Sequence, residues 1–187
     1  MAESAPLTDH LIAVFRTQDK ADEALRFLQD TGHDVGRLSI IGRDCVTEGR
    51  PIGFVQTDGL IRPLGNLGMF WSSTWGLPSG SAVMFVPGFG FVCFGGWLVG
   101  PLERAVAAGG MEVVESALAI VGIPSKRADQ YKEALKAGRF LVLVHGNAIE
   151  IHRAKSTLTG TQATCVESFT TKPGSKRGGL PLASSLL

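Results

Sequence analysis

No Asp, Glu, Lys, Arg or His occurs anywhere in residues 63–102, the longest uncharged run of the chain. Charge is otherwise balanced, with a formal net value of +1 over 187 residues, so a basic face able to neutralise a nucleic-acid backbone is not expected and nucleic acid is excluded as a partner class. Cysteine is scarce: Cys45, Cys93 and Cys165 are odd in number, widely spaced and never form a CxxC pair. That pattern provides neither a disulfide framework nor a zinc signature and fits a reducing compartment. The N-terminal stretch MAESAPLTDH lacks a basic region followed by an apolar one, so a secretory signal is not expected and a cytoplasmic location is the default.

Glycine, by contrast, is abundant, with 24 residues, many of them in the uncharged run. Mean hydropathy is positive. Small residues recur every fourth position through Gly68, Ser72, Gly76 and Gly80, and again through Gly88, Gly96 and Gly100. On a helix this spacing forms one face that lets a second helix approach closely. Pro78, Ser79 and Gly80 carry turn chemistry and divide the run into arms 63–77 and 81–102, giving an expected glycine-zipper helical hairpin in which Pro87 kinks the second arm. The length suffices for one membrane span of about 20 residues or two short helices. Trp71, Trp75 and Trp97 read equally as interfacial anchors and as packing residues. On this reading Gly76→Leu or Gly96→Leu disrupts assembly and leaves the rest of the fold intact.

The flanks read as a conventional domain. HLIAVFR, residues 10–16, is a strand-forming run, residues 17–30 switch to helical period with Ala21, Ala24, Leu25 and Leu28 on one face, and residues 37–42 return to strand. Thr17 or Asp19 caps the helix and Gly32 ends it. The unit recurs at residues 139–145, 147–158 and 161–169, where Asn147 and Glu150 have capping-box spacing. Two strand-helix-strand units in one small chain predict an α+β, ferredoxin-like fold: a four-stranded antiparallel sheet with helices on one face. The expected organisation is a single domain over residues 10–171, interrupted by the apolar hairpin 63–102 and a helical connector 103–138, followed by a flexible tail 172–187. Gly109 and Gly110 break the connector, and a further helix runs from Pro124 and Ser125 to Gly138.

Several segments together resemble the bacterial general stress protein family related to the heat-induced stress proteins. They are LIAVFRTQDKADEALRFLQDTG, RLSIIGRD, the VPGFG turn and GIPSKRADQYKEALKAGRFLVLVH, and the resemblance covers residues 11–145. It implies neither a reaction nor catalytic residues. The charged loop after Asp44 and the leucine-ended tail depart from the family pattern and suggest a member that works with a particular partner.

Catalytic and cofactor chemistry finds little footing. His145 and His152 lack a Cys or carboxylate to complete a metal set. Gly88, Gly90 and Gly95 have neither the Lys-Ser/Thr pair nor the acidic residue of a nucleotide loop. Cys93 is expected to be core, and Asp129, Glu133, Glu112 and Glu115 a solvated face. The expected function is non-enzymatic: a homo-oligomeric scaffold or anchor embedding the hairpin in a membrane or an oligomer core, at the cytoplasmic face of the inner membrane. The candidate interface is the small-residue face with Trp71, Trp75 and Trp97. Leu180, Leu182, Leu186 and Leu187 form a docking peptide for a larger protein partner on a Pro/Gly/Ser linker. The alternative is a subunit of a redox complex whose oligomeric apolar chamber holds or delivers a quinone or lipid, suggested by the aromatic content of residues 70–97.

Overall fold

The computed structural model describes residues 9–43, 46–47, 50–51, 81–108 and 112–170. Strand β1 (Asp9–Phe15) leads into helix α1 (Gln18–Asp30), whose Thr17 cap accepts from the Lys20 amide, and a short 3-10 turn passes the chain to β2 (Leu38–Arg43). Gly32 ends α1 at φ 82°, the left-handed conformation that favours glycine. A two-residue ladder follows, β3 (Val46–Thr47) with β4 (Arg50–Pro51). Then come β5 (Ser81–Val86), β6 (Gly90–Gly96) and the helices α2 (Val99–Ala108), α3 (Val113–Ile120) and α4 (Ser125–Lys136). The chain returns through β7 (Phe140–Gly146), α5 (Ala148–Thr159), opened by the Asn147–Glu150 capping box, and β8 (Cys165–Thr170).

The main sheet has six strands in the order β5-β6-β2-β7-β1-β8, and every pairing in it is antiparallel. Two features differ from the four-stranded, one-sided sheet expected above. A hairpin adds two strands beside β2, and helices cover both faces. Successive residues of a strand point to opposite faces. Leu11, Ala13, Phe15, Val142 and Val144 accordingly pack with Ala24, Leu25 and Leu28 of α1 and Ile151 and Leu158 of α5. Ile12, Val14, Leu141 and Leu143 pack on the other face with Leu102 of α2, Leu118 of α3 and Tyr131 and Leu135 of α4. Each buried side chain of this size contributes roughly 1.5–3 kcal/mol, so the second face is as much a core as the first.

The second arm of the expected helical hairpin is a β-hairpin followed by the start of α2. SAVMFV and FVCF are rich in β-branched and aromatic residues that suit a pleated strand. Pro87 does not kink a helix; it opens the turn. The Phe89 amide donates to Val86 O at 2.9 Å, and Gly88 has φ 82°, the arrangement of a type II turn with Pro and Gly at its two central positions. The first arm, residues 63–77, lies outside the described residues. The connector is helical as expected, with α2 and α3 on either side of Gly109 and Gly110. Among the described residues no helix is long and apolar enough to cross a membrane.

Candidate functional site

The registers fix one end of the sheet. Asp9 lies opposite both Gly146 and Thr170, Leu38 opposite Val144, Ser39 opposite Gly96, and Ser81 opposite Gly95. At this end His10 of β1 and His145 of β7 are direct partners across the antiparallel ladder. Their ring centroids are 6.4 Å apart with planes at 26°. Trp97, the residue after β6, completes the group, with its ring centroid 4.1 Å from His145 and 6.1 Å from His10.

Both imidazoles are held neutral near pH 7. Burial, then the neighbouring His145, lowers His10 to about 4. His145 is lowered chiefly by burial, against the opposing effect of its hydrogen bond to the Arg37 carbonyl, 3.0 Å from Nδ1. A neutral ring can serve that carbonyl only as a donor, so the geometry assigns the His145 proton to Nδ1 and leaves the Nε2 lone pair. Around this bond Arg37 pairs with Glu150 and, at 3.4 Å, with Asp34, while Glu150 also accepts from the Asn147 amide at 2.9 Å. One carboxylate thus caps α5 and anchors the turn before β2.

Three buried polar atoms at this end, Asp9 Oδ1, His10 Nδ1 and Trp97 Nε1, have no hydrogen-bond partner among the described residues. Native interiors leave few such atoms unsatisfied, because each costs about 1–3 kcal/mol. Among the described residues the chemistry on offer is narrow: two neutral imidazoles, an indole donor and the Asp9 carboxyl. The nearby Ser39 hydroxyl is committed to the Leu98 amide at 3.1 Å. Among the described residues no group of three His, Cys, Asp or Glu could hold a metal ion.

A second polar group ties α4 to the edge strand β8. Glu167 pairs with Arg127 and accepts from Tyr131 Oη at 2.8 Å. The Arg127 hydrogen bond holds the Glu167 carboxyl below its usual range, while burial and the same carboxylate push the Tyr131 phenol up. Burial also raises the Cys165 thiol, which makes it a poor nucleophile. This group is a clamp between elements.

The residues singled out in the sequence separate in space. Gly88 is in the hairpin turn, Gly96 ends β6 at φ 90°, and Gly100 lies in α2, so these three do not share a helical face. Gly96 packs against Leu38 and Ser39 of its own chain. Cys93 is buried in the core beneath α1 and α5. His152 is exposed on α5, away from the partner that His145 finds in His10. Glu112 and Glu115 face Lys132, and Glu133 pairs with Lys136. Gly68, Ser72, Gly76, Gly80, Trp71 and Trp75 lie outside the described residues, as do Leu180, Leu182, Leu186 and Leu187. The sequence reading missed His10, although one histidine opening a strand and another closing its antiparallel partner was a usable signal.

Comparison of the chain with protein-family models, with curated proteins and with solved structures finds no match.

Proposed function

We propose that the protein is a non-enzymatic, self-associating scaffold or anchor, built on a ferredoxin-like core and related to the general stress proteins that its segments resemble. The strand order supports the core reading: the first strands of the two strand-helix-strand units, β1 and β7, are central, and the second strands, β2 and β8, flank them. The observation that carries the function is the uncharged run of residues 63–102, which enters the main sheet as its outermost strand, β5. An apolar segment at a sheet edge is suited to association with another copy or with lipid and offers no catalytic groups. Sedimentation of the purified chain together with flotation on liposomes tests the reading. Assembly, flotation or both is expected; a chain that stays monomeric without detergent and fails to float would overturn it.

A second reading is favoured by the unpartnered atoms at the sheet end. Trp97 Nε1–H and His10 Nδ1 are suited to the carbonyl of a lipophilic ligand such as a quinone, at the end where β5 begins. Here the assembly is a subunit of a redox complex that holds or delivers that ligand. Organic extraction of the purified protein followed by mass spectrometry tests it, and an empty extract counts against it. In either reading the leucines at positions 180, 182, 186 and 187 dock a larger partner. Deleting residues 180–187 releases that partner without changing the assembly; undiminished co-purification with the truncated chain would remove this part of the proposal.

A further inference from the structure

The fold brings two of the chain's four histidines together, as direct partners across β1 and β7. Residues two apart in a strand share a face, so His10 lies on the side of Ile12 and Val14, and His145 on the side of Leu141 and Leu143. That is the face covered by α2, α3 and α4, and Trp97 packs onto the same cluster. The ring nitrogens are prepared for a shared occupant. His145 gives its Nδ1 proton to the Arg37 carbonyl, 3.0 Å away, which fixes the ring and leaves Nε2 as a lone pair. A hydrogen bond from the far ring nitrogen to a backbone carbonyl is the arrangement that orients histidines at metal centres. His10 is 7% exposed, and its buried Nδ1 has no hydrogen-bond partner among the described residues.

We propose that His10 and His145 are the two protein ligands of a site for a late first-row transition-metal ion, copper(II) first and zinc(II) after it. Imidazole suits both ions, and copper(II) stands highest in the affinity order of the divalent series. With metal–nitrogen bonds of about 2.0–2.1 Å, one ion joining two imidazoles sets their ring centroids roughly 5–6.5 Å apart. The observed separation is 6.4 Å, with the planes at 26°. The ion also gives His10 Nδ1 the partner it lacks. Asp9 does not complete the set, because it precedes His10 in the strand and points to the opposite face. The Ser39 hydroxyl is bound to the Leu98 amide. The remaining coordination positions fall to water or to an incoming ligand, which makes the ion exchangeable cargo and not a structural centre. The site depends on neither self-association nor a bound carbonyl.

Titration of the untagged full chain with copper(II) alone and with zinc(II) alone tests the site, read by native mass spectrometry and, for copper, by electron paramagnetic resonance. One ion per chain is expected, and the copper spectrum should carry the splitting of two imidazole nitrogens. His10→Phe and His145→Phe should each weaken binding by about tenfold or more, since even an orienting partner is worth that much at such sites. His33→Ala and His152→Ala, at the other two histidines, should leave binding unchanged. The wild-type spectrum decides the matter by itself if either phenylalanine variant fails to fold: a copper signal without two imidazole nitrogens overturns the proposal. A wild-type chain that takes up neither ion overturns it as well. So does binding that survives either phenylalanine variant, or that falls with His33→Ala or His152→Ala, which marks an adventitious ion only.

Discussion

His10 and His145 face each other across β1 and β7 with ring centroids 6.4 Å apart; burial holds both below their ordinary value, and His145 makes His10 harder still to protonate. The fold therefore prefers the neutral pair. His10 has an ordinary value of 6.5 and a folded value of about 4, so as pH falls the unfolded chain takes up its proton first. The stability is complete above about pH 6.5 and is lost as pH drops toward 4, by about 3 kcal/mol for His10. The charged groups acting on the pair, Asp9 on His10 and Arg37, Asp34 and Glu150 on His145, modulate this loss without reversing it. Urea unfolding at pH 7 and pH 4.5 should show a smaller drop for His10→Phe than for wild type.

Gly96 offers a test in which the structure reverses the expectation drawn from the glycine pattern. Its φ is 90°, and a Cβ there would run into Leu38 O and the Cα and Oγ of Ser39. Gly96→Leu or even Gly96→Ala should therefore damage the sheet itself, by about 3 kcal/mol or more, instead of sparing it while assembly is lost. Gly88 also has a positive φ, but nothing lies within 4 Å of a Cβ placed there. Gly88→Ala should cost only about 1 kcal/mol of backbone strain, and thermal melts of the two alanine variants compare them directly.

Asp22 on α1 is raised to about 6, first by burial and then by Asp19. A carboxyl raised in the fold contributes stability below its ordinary value of 3.8 and loses it as pH rises through 6. The side chain is only half buried, so solvent screening reduces the effect. Asp22→Asn should stabilise the protein at pH 7 by on the order of 1 kcal/mol and do nothing below pH 4. Denaturant midpoints at the two pH values check this.

The clamp on β8 predicts an unequal pair of variants. Tyr131→Phe removes one hydrogen bond and leaves Glu167 with Arg127, a loss of about 1 kcal/mol. Glu167→Ala removes the acceptor from a phenol that is 2% exposed and should cost about 2 kcal/mol. Chemical denaturation of both variants and the double variant measures the coupling.

The α+β class, the two strand-helix-strand units, the capping box at Asn147 and the break at Gly32 were legible in the sequence because each depends on local chemistry. The added strands were not. SAVMFVPGFGFVCFGG contains a small-residue spacing compatible with a helix and β-branched and aromatic residues compatible with a strand, and pairing with β2 decides between them. Helices on both faces had a signal that went unused. LIAVF and FLVLV are continuous apolar runs rather than alternating ones, which is how a strand buried on both sides reads. The His10–His145–Trp97 group depends on register across four strands, β6, β2, β7 and β1, and no single segment displays it.

Because β1 starts, β8 finishes and β5 starts at the same end of the sheet, the fold is polar in the manner of a plug, with its leads on one side. Asp9 and Thr170 thus stand at the pole of His10 and Trp97, and the opposite end carries the Pro87–Gly88 hairpin turn, the end of β2 and the β1–α1, α4–β7 and α5–β8 connections. A fluorophore attached at Asp9 or Thr170 therefore reports from the His10–Trp97 pole, whereas one at the Pro87–Gly88 turn reports from the other.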